Sequence, residues 1–130
     1  VSVEARLLAI LDASTRPELV AVPKYYGYAP QTDEKTPTPL PLLVMQRTGS
    51  NWTTDMCGTR PRPCFVTLNI THVARTNEAA RAQAQAARLE LIACAEMPRL
   101  DGETEDFDPD LRGWAVIQTF TADDDSPDVT

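Results

Sequence analysis

Six carboxylates stand between Asp101 and Asp110 in "DGETEDFDPD", with no base among them. Clustered acids can bind a divalent cation, or they can divide general-acid and general-base roles between two carboxyls. A calcium loop of the helix–loop–helix kind needs D-x-[DN]-x-[DN]-G and a glutamate at its twelfth position. Here the glycine comes second and Arg112 ends the stretch. An acid/base pair needs one carboxyl in an apolar or like-charged pocket that keeps its proton. In an extended chain Glu103 and Glu105 fall on one side and Thr104 and Asp106 on the other, so both faces read as wet. A solvated strand and turn is the expectation.

The second constellation is sulfur and imidazole: Cys57, Cys64, Cys94 and the single histidine, His72. The six-residue gap between Cys57 and Cys64 is not a zinc-knuckle spacing. Cys64 and His72 lie eight residues apart on one extended run, roughly 27 Å at ~3.4 Å per residue, too far to ligate one ion. Cys64 and Cys94 read as small core residues. Nucleophile chemistry finds no footing either. "TGSNW" lacks the G-x-S-x-G elbow, His72 has no evident orienting acid, and "DMCGTRPRP" lacks the G-K-[ST] of a phosphate-cradling loop. The expectation is a protein without catalytic, metal or cofactor residues.

The elements that would position these residues are legible in part. "VSVEARLLAILDAS" predicts a helix with Val3, Leu7, Leu8, Ile10 and Leu11 in one stripe, ended or redirected by Pro17. "VPKYYGY" predicts a short strand, and "LLVMQRT" a second one. Two long polar loops are expected, "APQTDEKTPTPLP" and "GSNWTTDMCGTRPRP". The alternation of "CFVTLNITHVA" predicts the clearest strand, with Cys64, Val66, Leu68 and Ile70 on one face. "TNEAARAQAQAARLELIACAE" predicts a helix capped by Thr76, with Ala79, Ala82, Ala86, Leu89 and Ala93 as its packing face. Two strands joined at "DPDL", with Pro109 preset for the turn, close the chain. The order α-β-β-β-α-β-β predicts an α+β domain over 1–122, two helices on an antiparallel or mixed sheet, followed by an acidic segment, 123–130.

At 130 residues the chain suits one core, and no apolar run reaches the ~18 residues of a membrane span. No basic-then-apolar leader pattern is found, so folding in a cytoplasm is expected. The net charge of −7 is unevenly distributed: residues 101–130 hold ten acids and one base, residues 1–100 nine acids and eleven bases. Such a chain is poorly suited to gripping nucleic acid. Arg47, Arg60, Arg62 and Arg75 are expected to cluster around the second polar loop. That asymmetry suits either two solvated surfaces or complementary docking between copies of one chain.

Several strings, in this order, resemble the tail terminator, or tail completion, proteins of long-tailed bacteriophages and prophages. "PKYYGYAPQ" is similar to the family's short strand and Ala-Pro-Gln turn, and "PLPLLVMQRTGS" to its proline-led apolar strand. "CFVTLNITHVARTNEAARAQAQAARLEL" is similar to its long strand and Ala-rich helix, and "DGETEDFDPDLRGWAVIQTFTA" to its closing hairpin. The likeness spans residues 3 to 122; the acidic C-terminal segment and "RPRPC" depart from it.

The resemblance implies a non-enzymatic virion protein of the neck. A hexameric ring would cap the tail tube, stop its polymerisation and join the tail to a head-completion, stopper or connector protein, with DNA passing through the lumen. Six copies at −7 each carry −42, and carboxylates lining a lumen would let DNA slide. Asn51, Trp52, Arg60 and Arg62 are the expected docking residues toward a neighbour or the tube. Glu103, Glu105, Asp106, Asp108 and Asp110 are expected on the lumen or an inter-subunit surface. Another neck, connector or tube subunit, and an acidic metal-dependent hydrolase, are the alternatives.

Overall fold

A computed structural model describes residues 3–27, 40–54, 61–94, 98–109 and 112–123, with 50–54, 61–64 and 123 placed as backbone. The chain forms helix α1 (Val3–Asp12), the short helix α2 (Pro17–Val20) and strands β1 (Lys24–Tyr26), β2 (Leu42–Thr54) and β3 (Pro61–Ala74). Helix α3 (Asn77–Ile92) and strands β4 (Arg99–Asp108) and β5 (Gly113–Asp123) follow. The fold is α+β, with a single five-stranded sheet ordered β1-β2-β3-β5-β4. β1 runs parallel to β2, and every other neighbouring pair is antiparallel.

The helices lie on one face of the sheet because apolar periods match there. Val3, Leu7 and Leu11 recur every four residues along α1 and are fully buried, with Leu8 and Ile10 packed partly against them. They meet Leu43 and Met45 of β2, Val66, Leu68 and Ile70 of β3, and Phe120 and Ala122 of β5. A smaller cluster of Leu42, Val44, Val73 and Ala115 occupies the opposite face, with Tyr25 and Leu40 against it. Pro17 starts α2 as its first residue, where the missing N–H costs nothing. The buried Lys24 ammonium then caps the exit from that helix, donating to the carbonyls of Leu19 (2.7 Å) and Val22 (2.9 Å).

Thr76 caps α3 as expected, its hydroxyl accepting from the Ala79 N–H at 3.1 Å. The packing face of α3 is not the expected one. Ala80, Gln83, Ala84, Ala86, Ala87 and Leu91 are buried, while Ala79, Ala82, Leu89 and Ala93 are exposed. Alanines occupy nearly every side of this helix, so their spacing does not define a face. The sheet selects the side on which Leu91 and the small residues allow close approach.

The second polar loop is much shorter than expected. Gly49–Thr54 and Pro61–Pro63 continue β2 and β3, with register shifts after Arg47 and Asn51. Ser, Thr, Asn and Gly read as loop, but pairing across the hairpin overrides that preference. Among the described residues β5, which is followed to Asp123, pairs with β3 from Phe65 onward. Among those residues, 61–63 and their β2 partners therefore extend about 10 Å beyond the five-stranded part of the sheet as a two-stranded ribbon.

At the other end of the molecule β5 begins at Gly113. A Cβ there would stand 2.7 Å from Leu40 Cδ1 and 2.9 Å from the Ala74 carbonyl oxygen, so only glycine fits without movement. The turn before it includes Arg112 at φ 54.

Candidate functional site

Strand β4 is the acidic edge of the sheet, and its alternation falls as the sequence predicts. Glu103 pairs in register with Gln118 and Glu105 with Val116 on the helix-bearing face; Thr104 and Asp106 lie opposite Ile117 and Ala115 on the other. Nearly every residue of the strand is exposed. Several of these acids are nevertheless partnered within the subunit. Arg81 of α3 grips Glu105 with two N–H groups, one at 2.8 Å, and that hydrogen bond holds the carboxyl below its usual range. Asp101 accepts from the Thr121 hydroxyl and from Arg99 Nε (2.8 Å), which lowers its pKa in turn. Asp106 accepts from the Phe107 N–H at 2.8 Å.

Glu103 belongs to a different arrangement, a polar relay crossing the core. Gln118 Nε2 donates to Glu103 Oε1 and to the Ala84 carbonyl, each at 2.8 Å, which fixes the orientation of the amide. Its Oε1 then faces His72 Nε2 at 2.7 Å. An amide oxygen only accepts, so His72 carries its proton on Nε2 and leaves Nδ1 as a buried lone pair without a partner. Burial pushes the imidazole from its ordinary 6.5 down to about 4, against the smaller opposing pull of Gln118 and Glu103. His72 therefore faces an amide, and the nearest acid lies on the far side of that amide.

Neither Gln118 nor its role is expected from the residues that look chemical. Its signal is positional: in the inward series Trp114, Val116, Gln118, Phe120, Ala122 it is the one amide among apolar side chains. His72 breaks the series Val66, Leu68, Ile70 in the same way, and in register it stands opposite Val116, one inward step from Gln118.

A second buried network ties α1 to the sheet. Glu4, whose side chain is 6 % exposed, binds Arg47 Nη2 at 2.7 Å and accepts from the Tyr26 hydroxyl at 3.2 Å. Burial, then the Glu4 carboxylate, raises the Tyr26 phenol above its ordinary pKa. Arg47 is thus committed within the subunit.

Arg75 stands apart from the expected arginine cluster. Arg62 and Arg75 lie near opposite ends of β3, and Arg75 adjoins the cap of α3. Trp52 lies on β2 opposite Pro63 and Arg62 on β3 opposite Thr53, both in the projecting ribbon, while Asn51 pairs with Phe65 at its base; all three are in strands rather than in a loop. Arg60, Asp110, Cys57 and the acidic segment 124–130 lie outside the described residues. Cys94 is a partly buried free thiol that donates to the Leu91 carbonyl at 3.0 Å. Among the described residues no three His, Cys, Asp or Glu side chains converge as metal ligands. None of the described helices is long and apolar enough to cross a membrane.

The β4–β5 hairpin ends in an aromatic pair. Phe107 and Trp114 meet edge to face with ring centroids 5.4 Å apart, yet remain 46 % and 38 % exposed. The acidic edge with this pair, and the β2–β3 ribbon on the other side of the sheet, are two separate surfaces. No protein-family model matches the chain, and no curated protein sequence matches it.

Proposed function

We propose that this chain is a structural subunit of a bacteriophage neck, a tail terminator. In this role copies close into a hexameric ring that caps the tail tube, stops its growth and joins it to a head-completion, stopper or connector protein. The observation that carries the reading is the ribbon. A two-stranded hairpin that leaves its sheet has little core of its own and gains stability from a neighbour. Trp52 and Arg62 are carried on it, with Asn51 at its base, and tryptophan and arginine are frequent interface anchors. The order of elements along the chain agrees with the resemblance, and the net charge of −7 per subunit suits a channel from which DNA must slide free.

Particles assembled without this protein test the reading. Overlong or headless tails support termination, whereas complete loss of tails assigns the chain to the tube itself. A strictly monomeric protein that binds divalent cations tightly contradicts the ring and favours an acidic hydrolase.

A further inference from the structure

Among the described residues the sheet has two open edges of unequal character. On one side β4 is the terminal strand over its whole length, about 33 Å of backbone whose alternate N–H and C=O groups point away from the sheet. On the other side β1 covers only Leu43–Met45 of β2. Among the described residues no strand pairs with the outer side of β2 beyond that point, through to Thr54. Long open edges are usually shortened, bulged away or guarded by charged side chains. Here β4 has one bulge, after Leu100, and its guard is acidic, which excludes a second acidic strand.

The two edges differ in charge. β4 carries Asp101, Glu103, Glu105, Asp106 and Asp108 against Arg99 alone. The ribbon side, residues 46–54 and 61–74, has no carboxylate; its Arg47 is paired with Glu4, and Arg62 stands on β3 beside the edge strand. Two β4 edges brought together would set acid against acid, which is destabilising across strands. β4 against β2 sets acids beside a strand that has no carboxylate between Leu42 and Thr54. The half-exposed Phe107–Trp114 pair stands at the end of the acidic edge, where it supplies apolar area to the same contact.

We propose that β4 of one copy adds to the open edge of β2 in the next, so that the sheet continues through the subunit interface. The contact joins two different surfaces and is therefore head to tail, the kind that closes into a ring when the rotation permits. The inference rests on the ring reading and adds which surfaces meet. It assigns the β4 acids to a neighbour rather than to the lumen.

Two charge-reversed variants and one exchange measurement test it. Thr104→Lys with Asp106→Lys leaves β4 with four acids against three bases, changed at exposed positions on the face away from the helices. Thr48→Glu with Arg62→Glu makes the ribbon acidic. Each pair should reduce the assembled fraction at fixed subunit concentration at least tenfold, with an unchanged circular dichroism spectrum. In wild-type protein the amides of 101–108 and 46–54 should exchange more slowly in the assembled than in the dissociated state. Rings that persist in both variants, or edge amides that exchange alike in the two states, overturn strand pairing while leaving the ring intact. A wild-type chain that stays monomeric at every concentration overturns the ring and the pairing together.

Discussion

β4 and β5 are the two strands of one hairpin, hydrogen-bonded along their length, yet they do different work. β5 turns Val116, Gln118, Phe120 and Ala122 into the core and is buried on that side. β4 contributes only Leu100 to the same core and leaves its acids in water. One strand carries the stability of the fold; its neighbour carries charge that the fold scarcely needs. Substitutions in the two strands should therefore separate folding from assembly.

The largest effect on folding belongs to β5. Phe120→Ala removes a fully buried aromatic and should cost about 3–5 kcal/mol in denaturant titrations, enough to unfold a marginal domain. Gln118→Leu should follow at about 2–4 kcal/mol. It strands the His72 N–H, and the buried Ala84 carbonyl loses the amide that donates to it.

His72 makes the same region sensitive to acid. Its folded pKa of about 4 lies below the ordinary 6.5, so between those values the unfolded chain takes up the proton and the folded one does not. The contribution is present in full above pH 6.5 and is lost as pH falls through about 4, a total of about 3 kcal/mol. Urea midpoints at pH 7 and pH 5 should show this slope, and the imidazole proton resonances of the folded protein should remain those of the neutral ring at pH 5. An imidazole that titrates near 6.5 would contradict the buried relay.

At the hairpin's entrance Gly113→Ala should cost about 1–3 kcal/mol, because the new Cβ meets Leu40 and the Ala74 carbonyl. The smallest effect belongs to β4. Glu105→Gln weakens only an exposed pair with Arg81 and should leave the thermal midpoint unchanged within error. A marked loss of stability there would erase the contrast between the strands.

The contrast was half legible in the sequence. Alternation in "CFVTLNITHVA" and "GWAVIQTF" marks the inward faces, and a strand with acids on both sides can only be wet. Pairing partners were not legible. Arg81 meets Glu105 from twenty-four residues away, and nothing local joins His72 to Gln118. The ribbon was hidden by composition, since Gly49 to Thr54 has the polarity of a loop and becomes strand only through β3. The buried side of α3 was hidden by its alanines, which look alike on every face.

The central claim, that this chain is built to close on copies of itself, is tested most directly by native mass spectrometry of the purified protein over a range of concentrations. A single closed oligomer, expected to be the hexamer and loosening as salt screens the acidic edge, is the predicted result. A monomer at every concentration and ionic strength would contradict it.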